Sequence, residues 1–100
     1  MDGAAESAAA DCDESLRLRP NDAFAFDNRG IIHLSLSQID NAIADFDAAL
    51  TIFPKFASPL YGRGIAKLKK GDVGAGNADI NAAKAIRPDI DKDFVRYGTR

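Results

Sequence analysis

The chain has 100 residues, 46% of them apolar and 28% charged, and a net charge of −2. That is the composition of one folded domain, not of a disordered, collagen-like or disulfide-framed chain. No apolar run approaches the roughly 20 residues of a membrane-spanning helix, and the opening stretch MDGAAESAAADCDE lacks the basic flank and apolar core of a secretory signal.

Residues 4–18 read as one helix, with Ala8 and Cys12 at inward positions. Cys12 is the single cysteine, so no internal disulfide forms. It reads as a buried, inert thiol, and its solitude fits a reducing, cytoplasmic setting, with a periplasmic one left open. Pro20 stops this helix, and Asn21 is the expected N-cap of the next. Phe24, Phe26, Ile31, Ile32 and Leu34 give that second helix its apolar stripe over about four turns. A break follows at 35–38. Ser37, with Asp40 three places on, resembles a weak capping box. Ile39, Ala42, Ile43, Phe46, Ala49 and Leu50 then fall at helical spacing up to Pro54. Ser58-Pro59 is expected to open a fourth helix, with proline at its first position. Tyr61, Ile65 and Leu68 share one face of it. Gly71 should end it and Asp72 cap the fifth helix, which carries Val73, Gly76, Ile80 and Ala83. Gly74 and Gly76 should each cost this helix about 1 kcal/mol relative to alanine, which makes its first turn the weak one. After Pro88, residues 91–98 begin a sixth helix.

Pro20, Pro54 and Pro88 stand at intervals of 34 residues. Windows 23–56 and 57–90, set in register, match at Arg29/Arg63, Gly30/Gly64, Ile31/Ile65, Leu34/Leu68, Asp45/Asp79, Ala48/Ala82, Ile52/Ile86 and Pro54/Pro88. The flanks keep the register: residues 4–18 correspond to the second half of a unit, and Phe94, Tyr97 and Gly98 fall where Phe26, Arg29 and Gly30 stand. The expected fold is all-α, one domain of about six helices in which each unit stacks on its neighbour because it buries too little alone.

With this period, the small residues Gly30, Ala42, Ala49, Gly64, Gly76 and Ala83, the large residues Phe26, Phe46, Leu60 and Ile80, and Pro54 and Pro88, the chain resembles the tetratricopeptide-repeat family. The resemblance implies a superhelical array of antiparallel helix pairs: a half-repeat at 4–18, whole repeats at 23–56 and 57–90, and a capping or partial helix at 91–98. His33 and Lys67 depart from it, standing where the family carries an aromatic residue.

Catalytic and cofactor chemistry finds no constellation. His33 is the only histidine, without a second ligand at metal-binding spacing, and reads as a packing residue. The Gly-Ala-Gly at 74–76 lacks the strand, third glycine and lysine-serine pair of a phosphate loop. Asp40, Asp45 and Asp47 read as a solvated helix face. No catalytic residue, metal or cofactor is assigned, and the chain is not expected to be an enzyme.

Charge is unevenly placed. Residues 1–50 hold 3 Lys/Arg and 10 Asp/Glu, a balance of −7, whereas residues 51–100 hold 10 and 5, a balance of +5. The basic residues Lys67, Lys69, Lys70, Lys84, Lys92 and Arg96 do not build a nucleic-acid reader in a chain of net negative charge, so neither nucleic acid nor membrane is an expected partner. The family resemblance implies a concave, peptide-binding groove along the first helices of successive units, and hence a protein–protein interaction scaffold. By register it points to Phe24, Asp27, Asn28, Ile31 and Ser35, with Leu34 beside them. From the second unit it takes Ser58, Tyr61, Ile65 and Lys69, with Leu68, and from the terminal helix Lys92, Val95 and Arg96. The basic end of this groove suits an acidic partner segment. The alternative expectation is self-association into a homo-oligomer, because the first helix, standing alone, should expose an apolar face.

Overall fold

Helices start and stop here at a fixed interval. The computed structural model describes the backbone of residues 3–96 and the side chains of residues 7–94. It contains α1 (Gly3–Leu18), α2 (Ala23–Ser35), α3 (Ile39–Ile52), α4 (Ala57–Lys69), α5 (Val73–Ile86) and α6 (Ile90–Arg96), with no strand among the described residues. Both ends of α4 lie 34 residues beyond those of α2, and both ends of α5 lie 34 beyond those of α3. Packing is sequential and antiparallel between neighbours: α1 on α2, α2 on α3, α3 on α4, α4 on α5. In addition α2 touches α4, and α4 touches α6. The structure is therefore an all-helical domain of six sequentially packed helices. Tyr97 and Gly98, expected in the last helix, lie outside the described residues.

The turns repeat with the helices. Gln38 N–H donates to His33 O (2.8 Å) and Ser37 N–H to Leu34 O (3.0 Å). Asp72 N–H donates to Lys67 O (2.9 Å) and Gly71 N–H to Leu68 O (3.0 Å). Both are the double reverse bond that satisfies the last carbonyls of a helix around one left-handed residue. That residue is Gly71 (φ +93°) in one turn and Ser37 (φ +61°) in the other. Ser37 is thus not the head of a capping box: it ends α2, and α3 begins without a side-chain cap. Three further expectations about helix entry shift. Asp22, not Asn21, caps α2, its Oδ1 accepting from Phe24 N–H (3.0 Å) and Ala25 N–H (3.2 Å). Pro59 is the third residue of α4, not the first, still inside the turn whose N–H groups have no helical acceptor, and it is fully buried. Asp72 precedes α5 but makes no side-chain capping bond.

The core runs through Ile31, Leu34, Ala42, Phe46, Leu50, Leu60, Ile65, Ala83, Ile90 and Phe94. Its centre is the Phe46 ring. A Cβ at Gly30 on α2 would lie 2.6 Å from that ring, and one at Gly62 on α4 would lie 2.5 Å from it. The two glycines therefore clamp one phenylalanine between three helices. Phe26 is only half-buried and lies under Arg29, whose guanidinium carbon is 5.7 Å from the ring centroid. Gly76 corrects the expectation of a merely weakened helix. A Cβ there would come within 2.8 Å of Gly64 O, and a Cβ at Gly64 within 2.8 Å of Gly76 O. The pair lets the α4 and α5 backbones touch, so Gly76 has a packing reason to be glycine. Gly74 faces open space and has none.

Ion pairs follow the same period, and they overturn the reading of Asp45 as a solvated residue. Asp45 is buried, and it accepts two bonds from Arg29, at 3.0 Å from Nε and 2.7 Å from Nη2. Arg63 repeats this on buried Asp79 at 2.8 and 2.9 Å. Each arginine spends its remaining nitrogen on the preceding unit: Arg29 Nη1 on Asp13 (2.6 Å) and Arg63 Nη1 on Asp47 (2.8 Å). Asp13 and Asp47 are again 34 residues apart. His33 and Lys67, again 34 residues apart, also reach these carboxylates. His33 Nε2 lies 3.4 Å from Asp45 Oδ2, and Lys67 Nζ lies 2.9 Å from Asp79 Oδ2. His33 therefore has a polar role beyond packing. Its Nδ1 lies 2.6 Å from Gln38 Oε1, at hydrogen-bond distance.

Candidate functional site

The residues singled out by register do not share one surface. Ile31 is buried, as is Leu34, and both belong to the core. Asn28 and Ser35 are exposed on α2, and Lys92 is exposed on α6. The side chains of Val95 and Arg96 lie outside the described residues. Tyr61, Ile65 and Lys69 do come together. With Leu68, Ile80, Asp91 and Phe94 they line a cleft of about 340 Å³ between α4, α5 and α6.

This cleft is built from the repeat upward. The four-residue spacing of Tyr61, Ile65 and Lys69 puts them in line along one face of α4. Helix α6 is short, but Ile90 and Phe94 are fully or almost fully buried and hold it on α4. The Tyr61 and Phe94 rings meet at 4.9 Å between centroids with 51° between their planes. The floor is thus apolar and partly aromatic. Lys69 and Asp91 stand in its wall with opposite charge, and neither has an ion-pair partner among the described residues. The cleft thus combines an apolar floor with two charged side chains that have no ion-pair partner among the described residues. Sequence reasoning did not place Ile80, Asp91 or Phe94 here. The match of Phe94 to Phe26 and Leu60 was a signal that α6 would fold back on α4.

Asp27 and Ser58 form a separate feature where α2 meets α4. Ser58 Oγ donates to Asp27 Oδ2 at 2.8 Å. Asp27 is only 6% exposed, and its Oδ1 is buried with no hydrogen-bond partner among the described residues. Burial pushes its carboxyl up to about 6, against the smaller, lowering effect of the Ser58 bond. A charge buried this deeply cannot serve as an open groove contact. Asp79 differs: burial raises it, but the bonds from Arg63 and Lys67 outweigh burial and hold it below the usual carboxylate range. Cys12 is half-buried rather than buried, and burial pushes its thiol above the ordinary value, which disfavours the nucleophilic thiolate.

Phe24 stands apart from the rest. It is 66% exposed, at an edge beside Ile52 and Phe53. Among the described residues no group of three His, Cys, Asp or Glu side chains is placed to hold a metal ion, and no helix is long and apolar enough to cross a membrane. Fold and cleft together define the class: an all-helical domain of sequentially packed helices with a cleft between α4, α5 and α6. No protein-family model matches the chain, and no curated protein matches it.

Proposed function

We propose that this chain is a tetratricopeptide-like repeat module, a non-enzymatic scaffold that binds a segment of another protein in the cleft between α4, α5 and α6. The observation that carries the reading is the 34-residue recurrence of helix bounds, Arg–Asp pairs and left-handed turns, in a packing order where α2, α4 and α6 touch in succession. Such an array presents the first helices of its units on one side, where an extended segment can lie. The apolar floor at Tyr61, Ile65 and Phe94 accepts a large side chain, and Lys69 and Asp91 can bond the peptide around it.

A selection from a displayed random-peptide library against the intact chain tests this. Enriched peptides should converge on an apolar anchor, and Tyr61→Ala and Lys69→Glu should each weaken their binding by about tenfold or more. A library without enrichment, or peptides indifferent to both substitutions, would refute the reading.

The inner face of α1 favours a second reading, self-association. Ala8 and Cys12 are half-buried, whereas their counterparts Ala42 and Phe46 are fully buried. Light scattering over a concentration series decides it: a monomer at every concentration removes self-association.

A further inference from the structure

The second unit shows which side chains the scaffold requires. At the unit positions where it carries Ser58 and Arg87, the first unit carries Phe24 and Phe53. The helices of both units run over the same bounds, so stacking does not call for rings at these two places. The rings are there nonetheless, and in water: Phe24 is 66% exposed and Phe53 48%. Both reach Phe56. Phe24 meets it edge-on at 5.2 Å between centroids, and Phe53 meets it at 5.3 Å. Beside this cluster a cleft of about 680 Å³ opens between the α1–α2 turn and the end of α3, walled by Arg19, Asp22, Phe24, Ile52 and Phe53 among others.

The charged side chains of this cleft are Arg19 and Asp22 in its wall, with Lys55 in the adjoining turn. Asp22 is engaged as the cap of α2. Arg19 in the wall, and Lys55 in the turn between Phe53 and Phe56, have no ion-pair partner among the described residues. They are two of only four Lys/Arg in residues 1–55, where most charges are negative. Exposed rings beside uncommitted cations are a surface awaiting an apolar group with negative flanks.

We propose that this cleft is a second docking surface, separate from the α4–α6 cleft, which receives a segment of another protein bearing one large apolar side chain between acidic residues. The apolar side chain enters between Phe24, Ile52 and Phe53, and the carboxylates meet Arg19 and Lys55. A second copy is a poor occupant. Its acidic run at 11–14 holds no large apolar side chain, and the run at 91–94 ends in Phe94, which is buried.

Fluorescence-anisotropy titration of the intact chain tests the proposal with two labelled hexapeptides. One has a Leu-Phe centre flanked by glutamates, the other the same centre flanked by lysines. The acidic peptide should bind and the basic one should not. Phe24→Ser installs the residue that the second unit already carries at the same place, so the fold is retained, as circular dichroism will check. Phe24→Ser and Arg19→Glu should each weaken the acidic peptide on the order of tenfold, while Tyr61→Ala leaves it unchanged. Four outcomes overturn the proposal: no binding of the acidic peptide, equal binding of both peptides, indifference to Phe24→Ser, or loss of binding on Tyr61→Ala. So do two assignments of the surface elsewhere. One is co-sedimentation with phosphatidylserine vesicles that Phe24→Ser abolishes. The other is a dimer in sedimentation that the same substitution dissociates.

Discussion

A single methyl group is enough to test how the core is assembled. Phe46 is fully buried between Gly30 and Gly62, so its ring cannot retreat from a new Cβ at either glycine. Gly62→Ala should destabilise the domain by about 1–3 kcal/mol, as overpacking of a rigid site does. Gly74→Ala should do the reverse and stabilise by about 0.5–1 kcal/mol, because that position has open space and alanine is the better helix former. Urea titration of the two variants reads both signs, and equal midpoints would remove the clamp from the account. Asp27 sets a second test at this scale. Its carboxyl is raised in the folded state, from 3.8 to about 6. A raised acid favours the folded state below its unfolded value and loses that advantage as pH rises through the folded one. The domain should therefore lose stability between pH ~4 and ~7 from this group, by at most about 3 kcal/mol. Asp27→Asn should flatten that slope and stabilise the protein at neutral pH. Asp79, held low, acts with the opposite sign and in a more acidic window, as pH falls below its unfolded value of 3.8. Thermal melts across the pH range separate the two, and an Asp27→Asn profile parallel to the parent would show that the buried carboxylate is not the cause.

Between helices, the arginines bind the units in two unequal ways. Arg29 and Arg63 each make a two-pronged bond to a buried aspartate of their own unit and a single bond to an exposed aspartate of the preceding one. Removing the buried partner strands a half-buried guanidinium, which costs roughly 3–5 kcal/mol where burial is complete and less here. Removing the exposed partner should cost about 0–1 kcal/mol. Asp79→Ala should thus lower the melting temperature far more than Asp47→Ala. A double-mutant cycle with Arg63→Ala measures each coupling, and equal couplings would contradict this division. These pairs also show what sequence could reveal. Arg29/Arg63 and Asp45/Asp79 were visible as matched positions, and so was the 34-residue period that places every helix end. Helical spacing assigned Asp45 to a face, but not to a face that meets a guanidinium from the neighbouring helix. The same limit applied to Ile31 and Asp27, which the family resemblance put on an open groove and which are buried. Caps moved by one residue, from Asn21 to Asp22, because two adjacent polar side chains compete for one role and only the backbone angle decides.

Across the molecule, each helix owes its stability to the neighbours it touches, and those neighbours are unequal. Helices α3 and α4 lie between partners on both sides, and they hold Phe46, Ala49, Leu60 and Ile65 in the buried core. Helix α1 packs chiefly on α2, where Asp13 pairs with Arg29; Leu16 is buried, and most of its other described side chains are exposed or half-buried. In an array whose stability is a sum of unit and interface contributions, the element with one weak interface opens first. Native-state hydrogen exchange should then find α1 amides opening at a lower free energy than those of α3 and α4, in a step that leaves those two helices closed. Asp13 is largely exposed, so salt screens its pair with Arg29. About 0.5 M sodium chloride should lower the protection of α1 and leave that of α3 unchanged, where the Asp45–Arg29 pair is sheltered by burial. Arg29→Lys gives the complementary result: one ammonium cannot hold both aspartates in the arginine's geometry, so α1 should loosen while α3 keeps a single ion pair. Uniform protection along the chain, with α1 opening only when the whole domain unfolds, would mean that the units fold as one cooperative block and not by nearest-neighbour stacking.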